Sequence, residues 1–207
     1  MNGFFENIKL AHDKLTGWCS WEKAQTLAAA VLTVRPKVIV EIGVWGGKSF
    51  VPMVMAQRHL GFGMSYAIDP WSPAASVLGQ QNDADKEWWG HQDKHDYAYG
   101  EFMKNIESLG LCSHIEVIRK ASDEVAPQSD IGILHLDGNH GEQTIRDVTR
   151  FAPNVIPGGF VFLDDIGWTG GAVEASAAKL KEIGFYELYV VDDSESQNKW
   201  AAYQKKC

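Results

Sequence analysis

The chain of 207 residues carries 19 basic and 27 acidic side chains, a formal net charge of −8. That balance argues against a surface built to neutralise a nucleic-acid backbone. Hydrophobic residues make up 45% and charged residues 22%, which excludes intrinsic disorder and suits a packed domain. The longest uninterrupted apolar run, Leu27 to Leu32, falls far short of the ~20 residues of a membrane-spanning helix. The N-terminus lacks the basic and apolar stretches of a signal peptide, so a cytoplasmic protein with no membrane partner is expected. Cys19, Cys112 and Cys207 show no CxxC spacing, and neither a disulfide framework nor a zinc site is expected.

Residues 1–19 are weakly patterned, either a short helix or an arm. Ser20 is a suitable N-cap for an Ala-rich helix from Trp21 to Val34, which Arg35-Pro36 ends. Val38 to Ile42 reads as a buried strand, followed by a helix from about Lys48 to His59 and a second strand from Ser65 to Asp69. Residues 71–100, rich in Trp, His, Asp and Gly, read as an irregular excursion before a helix from Glu101 to Leu109. His114 to Ile118 and Ile131 to Asp137 are the third and fourth strands, and Glu142 to Phe151 is a helix. Pro157-Gly158-Gly159 reads as a tight turn feeding a fifth strand, Phe160 to Asp164. A helix from Gly171 to Ile183 precedes two last strands, Phe185–Val191 and Lys199–Tyr203, close enough to form an antiparallel hairpin. Strands alternating with helices imply a doubly wound α/β domain with a mostly parallel sheet.

Where the first strand meets a helix stands Glu41-Ile42-Gly43-Val44-Trp45-Gly46-Gly47-Lys48-Ser49. Glycines at such a junction let backbone approach a ligand, and a helix N-terminus offers free N–H donors. A triphosphate-binding loop needs four residues between its glycines, but Gly43 and Gly47 enclose three. The dinucleotide fingerprint also fails, because Val44-Trp45 follow Gly43. A carboxylate at Glu41 would repel phosphate and suits an ammonium or sulfonium ligand. A plain tight strand–helix connection is the alternative. Asp69, 28 residues after Glu41, can accept from a ribose diol or can form a turn before Pro70.

Asp137 ends the fourth strand and Asp164-Asp165 end the fifth, at neighbouring carboxyl ends where such sheets bind ligands. One pair of carboxylates ~4 Å apart costs about 4 kcal/mol at an effective dielectric near 20. Either a proton or a cation is therefore expected among them, and all-oxygen ligands favour Mg²⁺, Mn²⁺ or Ca²⁺ over zinc. The alternative is that these aspartates cap turns. His140, three residues after Asp137, belongs to a residue type that ordinarily titrates near pH 6.5 and can take a hydroxyl proton, or it can face solvent.

Together, Glu41–Ser49, Asp137–His140 and Pro157–Asp165 resemble the class I S-adenosylmethionine-dependent methyltransferases. They are most similar to the small metal-dependent O-methyltransferases, of catechol, macrolide-sugar and cephalosporin-pathway type. The resemblance spans about Val38 to Tyr203. It implies a Rossmann-like seven-stranded sheet over 37–207, with a helical segment over 1–36 packed on it. It also implies that Glu41, Gly43, Trp45, Ser49, Asp69, Ser122, Asp123 and Asp137 hold S-adenosylmethionine. Asp137, Asp164 and Asp165 would hold Mg²⁺ or another divalent cation, with His140 and Asp137 catalytic. The acceptor would be a hydroxyl group of a small molecule, and a homo-oligomer stays open. The family's usual string D-G-D-H-S-Y differs here at Asn139, Gly141 and Glu142, which leaves the neighbouring substrate contacts open. Two rivals are a metal-assisted hydrolase using the same aspartates and a non-catalytic adenosyl-ligand binder.

Other features read more plainly. His91, Asp93, His95 and Asp96 suit a solvated helix start better than a metal site, and His135 suits a hydrogen-bonded core position. Trp88, Trp89, Tyr97 and Tyr99 form either a substrate wall or ordinary packing, and Trp168 is the better candidate for touching the acceptor.

Overall fold

A computed structural model describes residues 2–78, 80, 82–167, 171–196 and 198–207. Helices α1 (Asn2–His12) and α2 (Trp21–Val34) precede strand β1 (Val38–Ile42), helix α3 (Phe50–Leu60) and strand β2 (Met64–Ile68). Helices α4 (Pro73–Ser76), α5 (Asp83–Trp89) and α6 (Gln92–Ser108) lead to β3 (Ile115–Ile118) and β4 (Ile131–Leu136). Then come α7 (Glu142–Phe151), β5 (Val155–Leu163), α8 (Ala172–Glu182), β6 (Phe185–Asp193) and β7 (Asn198–Lys205). The strands form one sheet in the order β3-β2-β1-β4-β5-β7-β6. Pairings are parallel from β3 to β5, while β7 runs antiparallel to both β5 and β6. This is the expected Rossmann-like sheet with a C-terminal hairpin.

The sheet has a buried apolar cluster on each face. Leu27 and Val31 of α2, Val51 and Val54 of α3, and Phe102 of α6 cover one side. Val148 and Phe151 of α7, with Val173 and Leu180 of α8, cover the other. Fully burying each such side chain contributes ~1.5–3 kcal/mol, so two-sided coverage, not strand propensity, holds the central strands. No helix among the described residues is long and apolar enough to cross a membrane.

Two expectations fail locally. The segment after β2 is not irregular: Asn82 caps α5 by accepting the Asp85 N–H at 2.7 Å, and α6 begins at Gln92 rather than Glu101. Polar and aromatic residues there mask a helical stretch whose buried face is only His95, Ala98, Phe102 and Ile106. Likewise, Pro157-Gly158-Gly159 is not a turn before β5 but lies within it. Pairing with β4 starts at Ile131 and Val155, and the register shift between Ile131 and Ile133 absorbs the irregularity.

Candidate active site

The strand order reverses between β1 and β4, and a cleft of about 1030 Å³ opens there beyond the carboxyl ends of the strands. Its walls include Gly43, Trp45, Ser49, Asp69, Ser122, Asp123, Asp137, His140 and Asp165. Most residues picked from the sequence therefore share one cavity, but their roles there differ.

The glycine loop is held by backbone chemistry. Gly43 has φ 87°, and a Cβ there would sit 2.1 Å from the Asp137 carbonyl oxygen. Only glycine lets β1 and β4 close to this distance as they leave the sheet. Asp69 Oδ2 accepts the N–H groups of Val44 and Trp45, each at 2.9 Å, and Oδ1 accepts that of Trp71 at 2.7 Å. Burial pushes the Asp69 carboxyl up, against the pull of these three donors. A carboxylate has about four acceptor sites, so Asp69 retains about one for a further donor.

Glu41 stands apart from the cavity wall. It is fully buried, with Oε1 accepting from the Ser49 hydroxyl at 2.7 Å and Oε2 2.9 Å from His135 Nδ1. Its charge supports the floor, and the Ser49 hydroxyl is turned toward it. On the opposite wall, Ser122 accepts from Gln143 Nε2 at 3.0 Å, and the same amide donates to Asp147 at 3.0 Å. Burial pushes the Asp147 carboxyl up to about 6, against hydrogen bonds from Ser122 and Gln143. Asp123 is half-exposed and paired with Arg146 at 3.3 Å and Arg150 at 3.5 Å.

The aspartates at the ends of β4 and β5 do not meet at a common point. Asp165 adopts φ 56°, in the left-handed region, and its Oδ2 lies 2.9 Å from His140 Nε2. Asp164, 2% exposed, points into the floor, where its Oδ2 accepts from the ammonium of Lys23. That ammonium is also 3.9 Å from Asp137 Oδ2, and His135 Nε2 is 3.6 Å from Asp164 Oδ1. Burial would raise Asp164, but Lys23 and His135 hold it well below the usual carboxylate range. Asp137 moves the other way, raised by burial and by the Asp164 charge. Burial and Lys23 would lower His135, yet Glu41 and Asp164 carry it above its ordinary value.

Among the described residues, the one group of three or more His, Cys, Asp or Glu side chains close enough to share a cation is His135, Asp137 and Asp164, whose donor atoms lie within 4.8 Å of one another. Asp165 is outside that set. The set does not suit Mg²⁺: one member is an imidazole nitrogen where Mg²⁺ takes oxygen, and an ammonium sits against both carboxylates. Mg²⁺ also keeps several waters in its octahedron, for which a floor with Asp164 and His135 closed off from solvent leaves no place.

Sequence reasoning missed Lys23. The signal was available, because Lys23 shares the inward stripe of α2 with Leu27 and Val31, four and eight residues on. Trp18 was missed as well. Its ring lies 5.3 Å from Trp88, 5.9 Å from Trp89 and 6.0 Å from Trp45, making a four-tryptophan wall at the cleft mouth. Of the other suggested wall residues, Tyr99 packs on Trp71, and Tyr97 borders a shallow neighbouring pocket. His95 is not solvated: it is buried and bonds the Trp89 carbonyl at 2.9 Å. Asp96 pairs with Arg119 at 3.3 Å. His135 is indeed a bonded core histidine, and Trp168 lies outside the described residues.

A sheet of this order, with a glycine loop at the strand reversal and an acidic residue closing β2, is the class I methyltransferase architecture. The family profile described as a methyltransferase domain matches residues 40–166, more than half of the chain, and the chain belongs to that family. A search of curated proteins gives no significant match. Solved structures agree on the fold. The O-methyltransferase NovP superposes with a TM-score of 0.69 at 18% identity, over 90% of this chain and 79% of that one. The O-methyltransferase TomG from Streptomyces achromogenes, involved in tomaymycin synthesis and solved with S-adenosylmethionine, gives 0.66 at 13%, over 99% and 90%. An rRNA methylase from Streptococcus thermophilus gives 0.60 at 12%, over 88% and 95%, so the fold by itself does not choose the acceptor.

Proposed function

We propose that this chain transfers the methyl group of S-adenosylmethionine to a hydroxyl oxygen of a small molecule. The observation that carries the reading is the His140–Asp165 pair at 2.9 Å, set in the cleft wall beside the glycine loop. In this reading the proton of the neutral imidazole sits on Nε2, facing Asp165, and the basic lone pair is at Nδ1. There it takes the acceptor's hydroxyl proton as the oxygen attacks the sulfonium methyl, with S-adenosylhomocysteine leaving. A base so placed supplies ~10²–10⁴-fold, and holding methyl and oxygen in line contributes about 7–11 kcal/mol. Gly43, Trp45, Asp69 and Ser122 would hold the cofactor, with Asp123 and Ser49 at its margins and Asp137 near its methionine end. Glu41 would act only through Ser49 and His135. The O-methyltransferases NovP and TomG, similar in fold, support a small-molecule acceptor. The net charge of −8 and the tryptophans at the mouth favour a sugar or planar ring over an RNA backbone. A divalent cation has no part in this reading, because Lys23 stands against the carboxylates it would need.

Calorimetric titration of S-adenosylhomocysteine tests the cofactor, with micromolar binding expected. No binding would overturn the proposal. In an acceptor screen, His140→Ala should lower kcat by ~10²–10⁴ while leaving S-adenosylhomocysteine affinity unchanged. Full turnover in that variant would remove His140 from the base role.

A further inference from the structure

The carboxylates at the ends of β4 and β5 need a positive charge, and the chain itself supplies one. Lys23 enters from the first turn of α2, is fully buried, and places its ammonium on Asp164 Oδ2 and 3.9 Å from Asp137 Oδ2. Nothing local asks for a lysine there, since its neighbours on the same stripe are Ala24, Leu27, Ala28 and Val31. A buried ammonium without partners would be strongly destabilising, so its retention on this face makes sense only with the two aspartates. We propose that Lys23 is a resident cation that takes the place of a divalent metal, so that this enzyme binds no metal at Asp137 and Asp164 and works without one.

The geometry explains the division of labour between the aspartates. Asp164 is drawn into the floor between Lys23 and His135 and cannot reach a ligand in the cleft. Asp137 keeps 23% of its side chain exposed and lines the cleft. Lys23 is thus a positioning residue: it holds Asp137 at the cleft wall through charge, as a metal would, without offering open coordination sites to the acceptor. An ammonium and a divalent cation cannot share these carboxylates, because like charges ~4 Å apart repel strongly in a site of low effective dielectric. The inference concerns the cation alone and stands whether or not the acceptor is a hydroxyl compound.

The test is a Mn²⁺ titration of the intact protein, following the paramagnetic resonance signal of the free ion, with S-adenosylhomocysteine calorimetry on the same samples. The wild-type protein should leave millimolar Mn²⁺ free and bind S-adenosylhomocysteine equally in Mn²⁺ and in EDTA. Lys23→Ala and Lys23→Met remove the competing charge and should raise Mn²⁺ affinity by at least ~100-fold. Adding Asp164→Asn should abolish that gain, which a purely structural role for Lys23 would not produce. A wild-type protein that takes up one Mn²⁺, lost in Asp137→Asn, would overturn the proposal. So would a Lys23 variant that melts cooperatively yet gains no Mn²⁺. If the Lys23 variants fail to fold, the wild-type titration decides alone. Failure of S-adenosylhomocysteine to bind would count against the methyltransferase reading and leave the Mn²⁺ result to judge the cation.

Discussion

The two ends of the cleft solve the same electrostatic problem with different materials. At the β1–β2 end, the Asp69 carboxylate is satisfied by three backbone N–H groups, those of Val44 and Trp45 in the glycine loop and of Trp71 two residues on. At the β4–β5 end, Asp164 Oδ2 is held by Lys23, and Glu41 of β1 beside it by His135, side chains brought from distant segments, while Asp164 Oδ1 and His135 Nε2 make no hydrogen bond among the described residues. Backbone donors are set by the turn that carries them and tolerate side-chain change around them. Side-chain partners must each be present, so the second end is the more fragile.

Substitutions at each end sharpen that contrast. The largest effect is expected at Glu41→Ala, which strips His135 and Ser49 of their acceptor inside a sealed floor. Urea unfolding should show a loss of ~3–5 kcal/mol, and a loss below ~1 kcal/mol would mean that the floor is not a coupled network. Next comes Gly43→Ala, where the new Cβ meets the Asp137 carbonyl at 2.1 Å and the left-handed φ adds strain. A loss of about 3 kcal/mol is expected, together with S-adenosylhomocysteine affinity, and retained affinity would show that the loop can shift.

Asp147 gives a smaller and pH-dependent effect. Its folded value of about 6 lies above the ~3.9 of an unfolded aspartate. Between roughly pH 4 and 6 the unfolded chain has released a proton that the native state still holds, so stability falls as pH rises through that window. The loss is complete above pH ~6 and amounts to at most about 3 kcal/mol. Asp147→Asn should remove this slope and be the more stable form at neutral pH, as thermal melts at several pH values would reveal. Parallel pH profiles for the two proteins would refute it. The smallest effect is expected at the surface, where Asp123→Ala breaks half-exposed pairs with Arg146 and Arg150 and should cost no more than ~1 kcal/mol.

Much of the fold was legible because its signals are short-range. Ser20 before an Ala-rich run and Arg35-Pro36 after it set the limits of α2 as expected, Trp21–Val34, and Ser20 does accept the Lys23 N–H at 3.1 Å. The β1 strand and α7 also fall where the pattern put them. The polar face of α6 hid its start, since one buried residue every three or four positions is a weak pattern among so many charges. At the site, the glycine loop and the spacing of Asp137, His140 and Asp165 pointed to a cleft that the structure does assemble. The grouping of Asp165 with Asp137 and Asp164 did not follow, because adjacent residues at a strand end can face opposite ways. Asp164 meets Lys23 in the floor, whereas Asp165 meets His140 in the cleft wall.

The sequence by itself determined the alternation of strands and helices, the glycine loop and the acidic strand ends, since each rests on residues within a few positions of one another. Only the tertiary structure decided what those acids meet. Lys23 and Asp164 are 141 positions apart, and Glu41 and His135 are 94 apart. Such pairs form only when the sheet closes and α2 lies against it, because burial first removes the water that would otherwise solvate each charge, leaving the groups to satisfy one another.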